Sequence, residues 1–266
     1  MGRFVSGRIA VAVLVAGLLA ALAPSRPAGA GLVPHRAFYR LEPLAGRTPP
    51  ATRVEGRLAL EWRRTCGGWA SRQRLAFLMA PDDAAPFVVD IRFRGFERLD
   101  GRRFDFAMET FEDGRPVERT EGRAWLPGTT RERGGLVLKG PEPRRLALPA
   151  TTRFPARQME ELLAAARAGR ALVDQLVYDG SGEEGLVRAV TLFGRPRDRS
   201  GRRLWPFVMG YHRPGDPAPL PRLQLWGEMD EGGVFRKLVL DFGDFALRAV
   251  PVRIRELPLP PCPARP

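Results

Sequence analysis

The sequence predicts an all-β, mainly antiparallel protein: a long curled sheet of barrel-like form, with one α-helix near residues 155–170. Three observations predict it. Apolar residues recur with a period of two in run after run, turn residues separate the runs at short intervals, and a single segment departs to helical spacing. More than ten such strands in one chain must curl or close to bury a shared apolar face.

The first segment belongs to export rather than to the fold. Met1 to Ala30 carries Arg3 and Arg8, an apolar run from Ile9 to Ala23, and a small-residue cleavage site at Ala28 and Ala30. That run has 15 residues, fewer than the roughly 20 of a spanning helix. No cysteine follows the site to accept a lipid. The expectation is a signal peptide over residues 1–30, cleaved after Ala30, and a single soluble periplasmic domain over residues 31–266.

Within that domain Val54, Leu58, Leu60 and Trp62 alternate with Glu55, Arg57, Glu61 and Arg63, with Gly56 a gap on the apolar side. Phe87, Val89, Ile91 and Phe93 repeat the pattern, and so do Phe104, Phe106 and Met108 before the turn at Asp113-Gly114. Further strands are expected at Leu136 to Leu138, Leu186 to Phe193, Leu204 to Tyr211, Leu223 to Trp226, Val234 to Leu240 and Phe245 to Ile254. Asp100-Gly101, Gly134-Gly135, Ser200-Gly201 and Gly232-Gly233 are expected to separate strands.

Pro155 to Arg170 breaks the alternation. Met159, Leu162, Leu163 and Ala166 fall at helical spacing, Pro155 suits a first helical position and Gly169 a stop. Glu160 and Glu161 come early, Arg167 and Arg170 late, as the helix dipole prefers. Such a helix is expected to plug one end of the curled sheet.

Little points to chemistry. His35 and His212 are the two histidines, too few for a multi-histidine metal site, and the loop Asp179-Gly180-Ser181-Gly182-Glu183-Glu184-Gly185 matches neither a nucleophile turn nor a calcium loop. No enzyme, metal or cofactor is expected. Trp205, Phe207, Tyr211 and Trp226 are candidate aromatics for a cleft.

The formal charge is +13, and removal of Arg3, Arg8 and Arg26 with the signal leaves +10. Export sets nucleic acid aside and makes anionic envelope lipid or lipopolysaccharide the partner for any long-range attraction. The arginines are spread among acids, which reads as solvated strand faces. The two cysteines, Cys66 and Cys262, stand behind an export signal, where pairing is favoured over two free thiols.

Four stretches stand out together: the start Gly31-Leu32-Val33-Pro34-His35-Arg36-Ala37-Phe38-Tyr39, the turn Cys66-Gly67-Gly68-Trp69, the loop Tyr178-Asp179-Gly180-Ser181, and the ending from Ile254 through Cys262. In combination they resemble the EipB family of cell-envelope integrity proteins. The resemblance implies a periplasmic β-spiral, a disulfide between Cys66 and Cys262, no known catalysis, and tetratricopeptide-repeat proteins as candidate partners. Two functions follow. One is a non-enzymatic protein that supports envelope integrity through protein contacts. The other is a carrier of a lipid or other apolar ligand, and the interior discriminates them: filled by aromatic side chains it is structural, hollow it can carry.

Overall fold

Alternating side chains fix which face of a strand turns inward, and the computed structural model has fifteen strands. The structure describes residues 31–47, 52–81, 85–129, 133–140, 143–216 and 220–263. The export signal expected at residues 1–30 lies outside the described residues.

The first half of the chain is a meander. It comprises β1 (His35–Pro43), β2 (Thr52–Arg64), β3 (Gly68–Pro81), β4 (Phe87–Arg98), β5 (Arg103–Glu112), β6 (Arg115–Trp125), β7 (Gly134–Leu138) and β8 (Arg144–Leu148). Helix α1 (Pro155–Arg167) interrupts. The second half holds β9 (Leu172–Tyr178), β10 (Leu186–Phe193), β11 (Arg197–Arg199), β12 (Arg202–His212), β13 (Leu223–Asp230), β14 (Phe235–Asp241) and β15 (Ala246–Glu256).

All fifteen strands join one antiparallel sheet in the order β8-β7-β6-β5-β4-β3-β2-β1-β15-β14-β13-β12-β10-β9, with β11 paired to β12. The pairing of β1 with β15 unites the two halves. The sheet does not close, since β8 and β9 are its two ends. They nevertheless meet: Arg153, just beyond β8, makes a parallel bridge to Val177 on β9, with backbone bonds of 2.7 Å to the Leu176 carbonyl and 2.9 Å from the Tyr178 N–H. An open sheet whose ends overlap in this way is a spiral.

The expected inward residues Val54, Leu58, Leu60 and Trp62 are buried. Gly56 interrupts them because the neighbouring strand is too close for a side chain; a Cβ there would lie 2.5 Å from the Ala76 carbonyl oxygen. Gly134-Gly135 is not a separator. Both open β7, where a Cβ on Gly135 would stand 2.6 Å from the Trp125 ring, so the glycines make room for that indole.

Two of the three apolar clusters among the described residues hold the spiral around its helix. In one, Met159, Leu162 and Leu163 of α1 pack on the inner faces of β1, β2 and β12 to β15. In the other, Phe104 stacks on Phe154 at 5.3 Å and Phe106 meets Tyr178 edge-on at 5.3 Å, which ties β5 to the chain on both sides of the helix. The helix ends at Arg167, earlier than the expected Arg170, with Gly169 in the left-handed region at φ 69°.

The capping of α1 differs from expectation. Among the described residues its first turn contains no acid, and Phe154 at the N-cap offers no side-chain acceptor. Glu97 of β4 takes that role, accepting the N–H groups of Ala156 at 2.6 Å and Arg157 at 3.0 Å. Farther along, Trp69 Nε1 donates to Glu160 at 3.0 Å. Both acids therefore fasten the helix to the β3/β4 region, and Glu160 acts through its partner rather than through the dipole.

Candidate functional site

The inner face of the spiral is only partly filled. Ile91 and Phe93 of β4, Leu75 of β3 and Met108 of β5 point inward as the alternation requires, yet each is only half-buried. They face a cavity of about 950 Å³, near the upper end of the roughly 300–1,000 Å³ usual for small-molecule sites. Leu58 and Leu60 of β2, Leu223 and Leu225 of β13, and Leu238 and Leu240 of β14 complete its walls. Pro155, Gln158 and Met159 of α1 form its floor. The helix is thus a plug, as expected, and the space on its inner side is hollow.

Polar groups line part of this space, Gln73 of β3 and Glu118 and Thr120 of β6 among them. Gln158 hydrogen-bonds the Tyr211 hydroxyl and lays its amide nitrogen 3.8 Å from the Met209 sulfur. Burial pushes the Tyr211 hydroxyl up to about 12, and the Asp179 carboxylate adds to the rise. Asp179 is itself raised by burial, against hydrogen bonds from Ser181, whose N–H donates to it at 2.8 Å. These groups can orient one polar end of a ligand while the aliphatic walls take the rest.

The mouth is formed by the β9–β10 connection. Gly180 and Gly182 adopt φ values of 89° and 100°, a 3-10 turn covers Glu183–Gly185, and the Tyr178 hydroxyl donates to the Gly182 carbonyl at 3.0 Å. Arg144 of β8 pairs with Glu183 across the seam between the sheet ends. On the other side Arg222 pairs with Glu184 at 2.7 Å. Exposed pairs of this kind contribute about 0–1 kcal/mol each, so they shape the opening without locking it.

Of the four candidate aromatics, Tyr211 alone lines this cavity. Phe207 is buried beside Phe235, ring centroids 5.4 Å apart. Trp205 lines a second hollow beyond the far end of the helix. Trp226 sits on the outer face: it pairs with exposed Val208, whereas its neighbours Leu223 and Leu225 face the cavity. The alternation on β13 was the signal that separates it from the others.

His35 is buried, with Nδ1 2.8 Å from the Val33 carbonyl, and burial lowers its pKa. His212 lies on the outer side of β12, opposite Arg188 of β10. The two are structural neighbours of strands rather than members of one site. Among the described residues no cluster of histidine, cysteine or acid side chains could hold a metal.

Cys66 and Cys262 form a disulfide, with Cα atoms 5.4 Å apart and a sequence separation of 196. Cys66 occupies the β2–β3 turn, where Thr65 Oγ1 and the Gly68 N–H meet at 3.0 Å. The proline-rich tail leaves β15, bonds Leu257 N–H to the Pro34 carbonyl at 2.7 Å, and crosses the start of β1 to reach that turn.

Fold and site define a class: an open antiparallel β-spiral around an apolar cavity, plugged by one helix and closed by a tail disulfide. The chain belongs to the EipB-like family, whose model matches residues 27–257. It is 30% identical over 250 residues to the cell envelope integrity protein EipB of Brucella abortus (strain 2308), covering 87% of each chain. It also resembles the crystal structure of a beta-barrel-like protein of a domain of unknown function from Brucella abortus. That match has a TM-score of 0.78 and 25% identity, and covers 86% of this chain and 100% of the other.

Proposed function

We propose that this protein is a non-enzymatic component of the cell envelope, located in the periplasm, that supports envelope integrity by holding the acyl part of a lipid in its interior. The relative's name supports the envelope role. The observation that carries the ligand reading is the hollow interior of about 950 Å³, walled by leucine, isoleucine and phenylalanine where a purely structural sheet would be filled. Contacts with other periplasmic proteins, tetratricopeptide-repeat proteins among them, are the second reading. It draws on Phe38 and Val252, 41% and 67% exposed at the β1/β15 bulge on the outer face.

A fluorescent polyene fatty acid tests the first reading. The protein should bind it, and Leu225→Trp, which places an indole in the cavity, should weaken binding at least tenfold while leaving the thermal midpoint unchanged or higher. Equal binding by the folded variant would place the probe outside the cavity and defeat the proposal.

A further inference from the structure

Beyond the C-terminal end of α1, on the side of the helix opposite the cavity, lies the second hollow, about 790 Å³ in volume. Its floor is apolar, with Trp205, Phe193 and Val33, and its walls carry five arginines against three acids, Asp230, Glu231 and Glu256. Arg167 and Arg170 enter from the end of the helix, Arg195 from the β10–β11 connection, and Arg202 and Arg203 from the start of β12. The adjoining β11–β12 hairpin adds Arg197 and Arg199, both exposed.

Acids answer only part of this charge. Asp230 is engaged by Arg236, with Arg202 at 3.9 Å, and Asp198 stands 3.5 Å from Arg203. Among the described residues the guanidinium groups of Arg170, Arg195, Arg197 and Arg199 have no acceptor. Four unpaired arginines at one end of a protein make a strong local positive potential.

An apolar row crosses the outer face of the strands that carry this hollow. Leu172 of β9, Leu192 of β10 and Val208 of β12 are successive cross-strand partners on the outer face, and they are 57%, 53% and 39% exposed. Two of them adjoin residues that line the hollow, since Ala171 precedes Leu172 and Phe193 and Gly194 follow Leu192, while Val208 stands three positions beyond Trp205 on β12. Unpaired arginines beside exposed leucines have the composition of a surface that rests on an anionic bilayer, cations on the phosphates and apolar side chains in the headgroup boundary.

We infer that this end of the spiral docks on a membrane surface through phosphate-bearing lipid headgroups, with Arg170, Arg195, Arg197 and Arg199 as the contacts and Leu172 and Leu192 as the inserted side chains. This site is separate from the cavity and stands or falls independently of the ligand reading.

Sedimentation with vesicles tests it, using the protein as purified from the producing cell. Vesicles of phosphatidylethanolamine with phosphatidylglycerol should carry the protein down at low salt and release it as salt rises; phosphatidylcholine vesicles should not bind it. Each of Arg170→Ala and Arg195→Ala should weaken binding about fivefold, and the pair about twentyfold. Leu172→Ser with Leu192→Ser should weaken it while keeping the salt dependence. If the arginine pair fails to fold, as judged by circular dichroism, Arg197→Glu with Arg199→Glu on the exposed hairpin replaces it with the same expected loss. Equal binding to neutral vesicles, or folded variants that bind like the parent, would overturn the inference. So would release by inorganic phosphate beyond that caused by chloride of equal ionic strength, which would mark a site for free phosphate.

Discussion

Replacing Cys66 or Cys262 by serine should lower stability by about 3–5 kcal/mol and the thermal midpoint by about 10 °C. The bond closes 196 residues of chain into one loop, and on the chain-entropy model a loop of that length restrains the unfolded state by about 5 kcal/mol. Native geometry gives the bond a second effect. The tail from Leu257 to Cys262 contains Pro258, Pro260 and Pro261, and past its bond to Pro34 it has few backbone partners. Without the disulfide it should peel away and expose the β2–β3 turn, while the β1/β15 ladder persists. The double substitution should cost no more than either single one, since both remove the same crosslink. Thermal unfolding of the three variants beside the parent checks this. Additive losses, or none, would contradict the closure role.

The second large effect is electrostatic and centres on Glu97. Burial pushes its carboxyl up to about 8, with the N–H groups of Ala156 and Arg157 pulling the other way. The unfolded chain releases this proton near 4.5. Between those values the native state binds the extra proton, so stability falls as pH rises, by about 5 kcal/mol at most over the full span. Asp179, also raised by burial, acts with the same sign. His35, lowered by burial, acts oppositely: its contribution is present above 6.5 and lost below. The window from pH 6.5 to 8.5 therefore isolates the carboxyls. Denaturant unfolding should show the parent losing about 2 kcal/mol across it. Glu97→Gln cannot titrate and presents one oxygen to two helix donors. It should start about 1–2 kcal/mol lower at pH 6.5 and lose less than half as much by pH 8.5. A parent that is equally stable at both pH values would contradict the account.

What could be read in the sequence, and what could not, divides along physical lines. Alternation at Val54, Leu58, Leu60 and Trp62 identifies an inward face because the period of a strand is local. The same alternation at Ile91 and Phe93 cannot tell a packed face from a hollow one, since that depends on how far the sheet curls before the opposite wall meets it. The N-terminal charge of α1 was expected within the helix, at Glu160 and Glu161. The acceptor for the first helix N–H groups comes instead from Glu97, 59 residues from Ala156 in sequence, a distance over which no spacing rule operates. Tyr211 and Trp226 look alike as strand aromatics; only their places in the β12/β13 register put one inside and the other out. The basic end is a different case. Arg195, Arg197, Arg199, Arg202 and Arg203 crowd one short stretch with the single acid Asp198. That run was legible as a local excess, although the arginines elsewhere are spread among acids as solvated faces. The contribution of Arg167 and Arg170 to the same hollow required the fold.

The central claim is that the spiral carries an apolar ligand, and native mass spectrometry of the protein purified without detergent from the cell that produces it tests that claim most directly. The account predicts, beside the bare chain, a species heavier by the mass of one acyl-bearing lipid. It should be recovered in organic extract and be absent from the Leu225→Trp variant prepared in the same way. The bare chain alone, from a parent that also fails to take up added fatty acid, would contradict it.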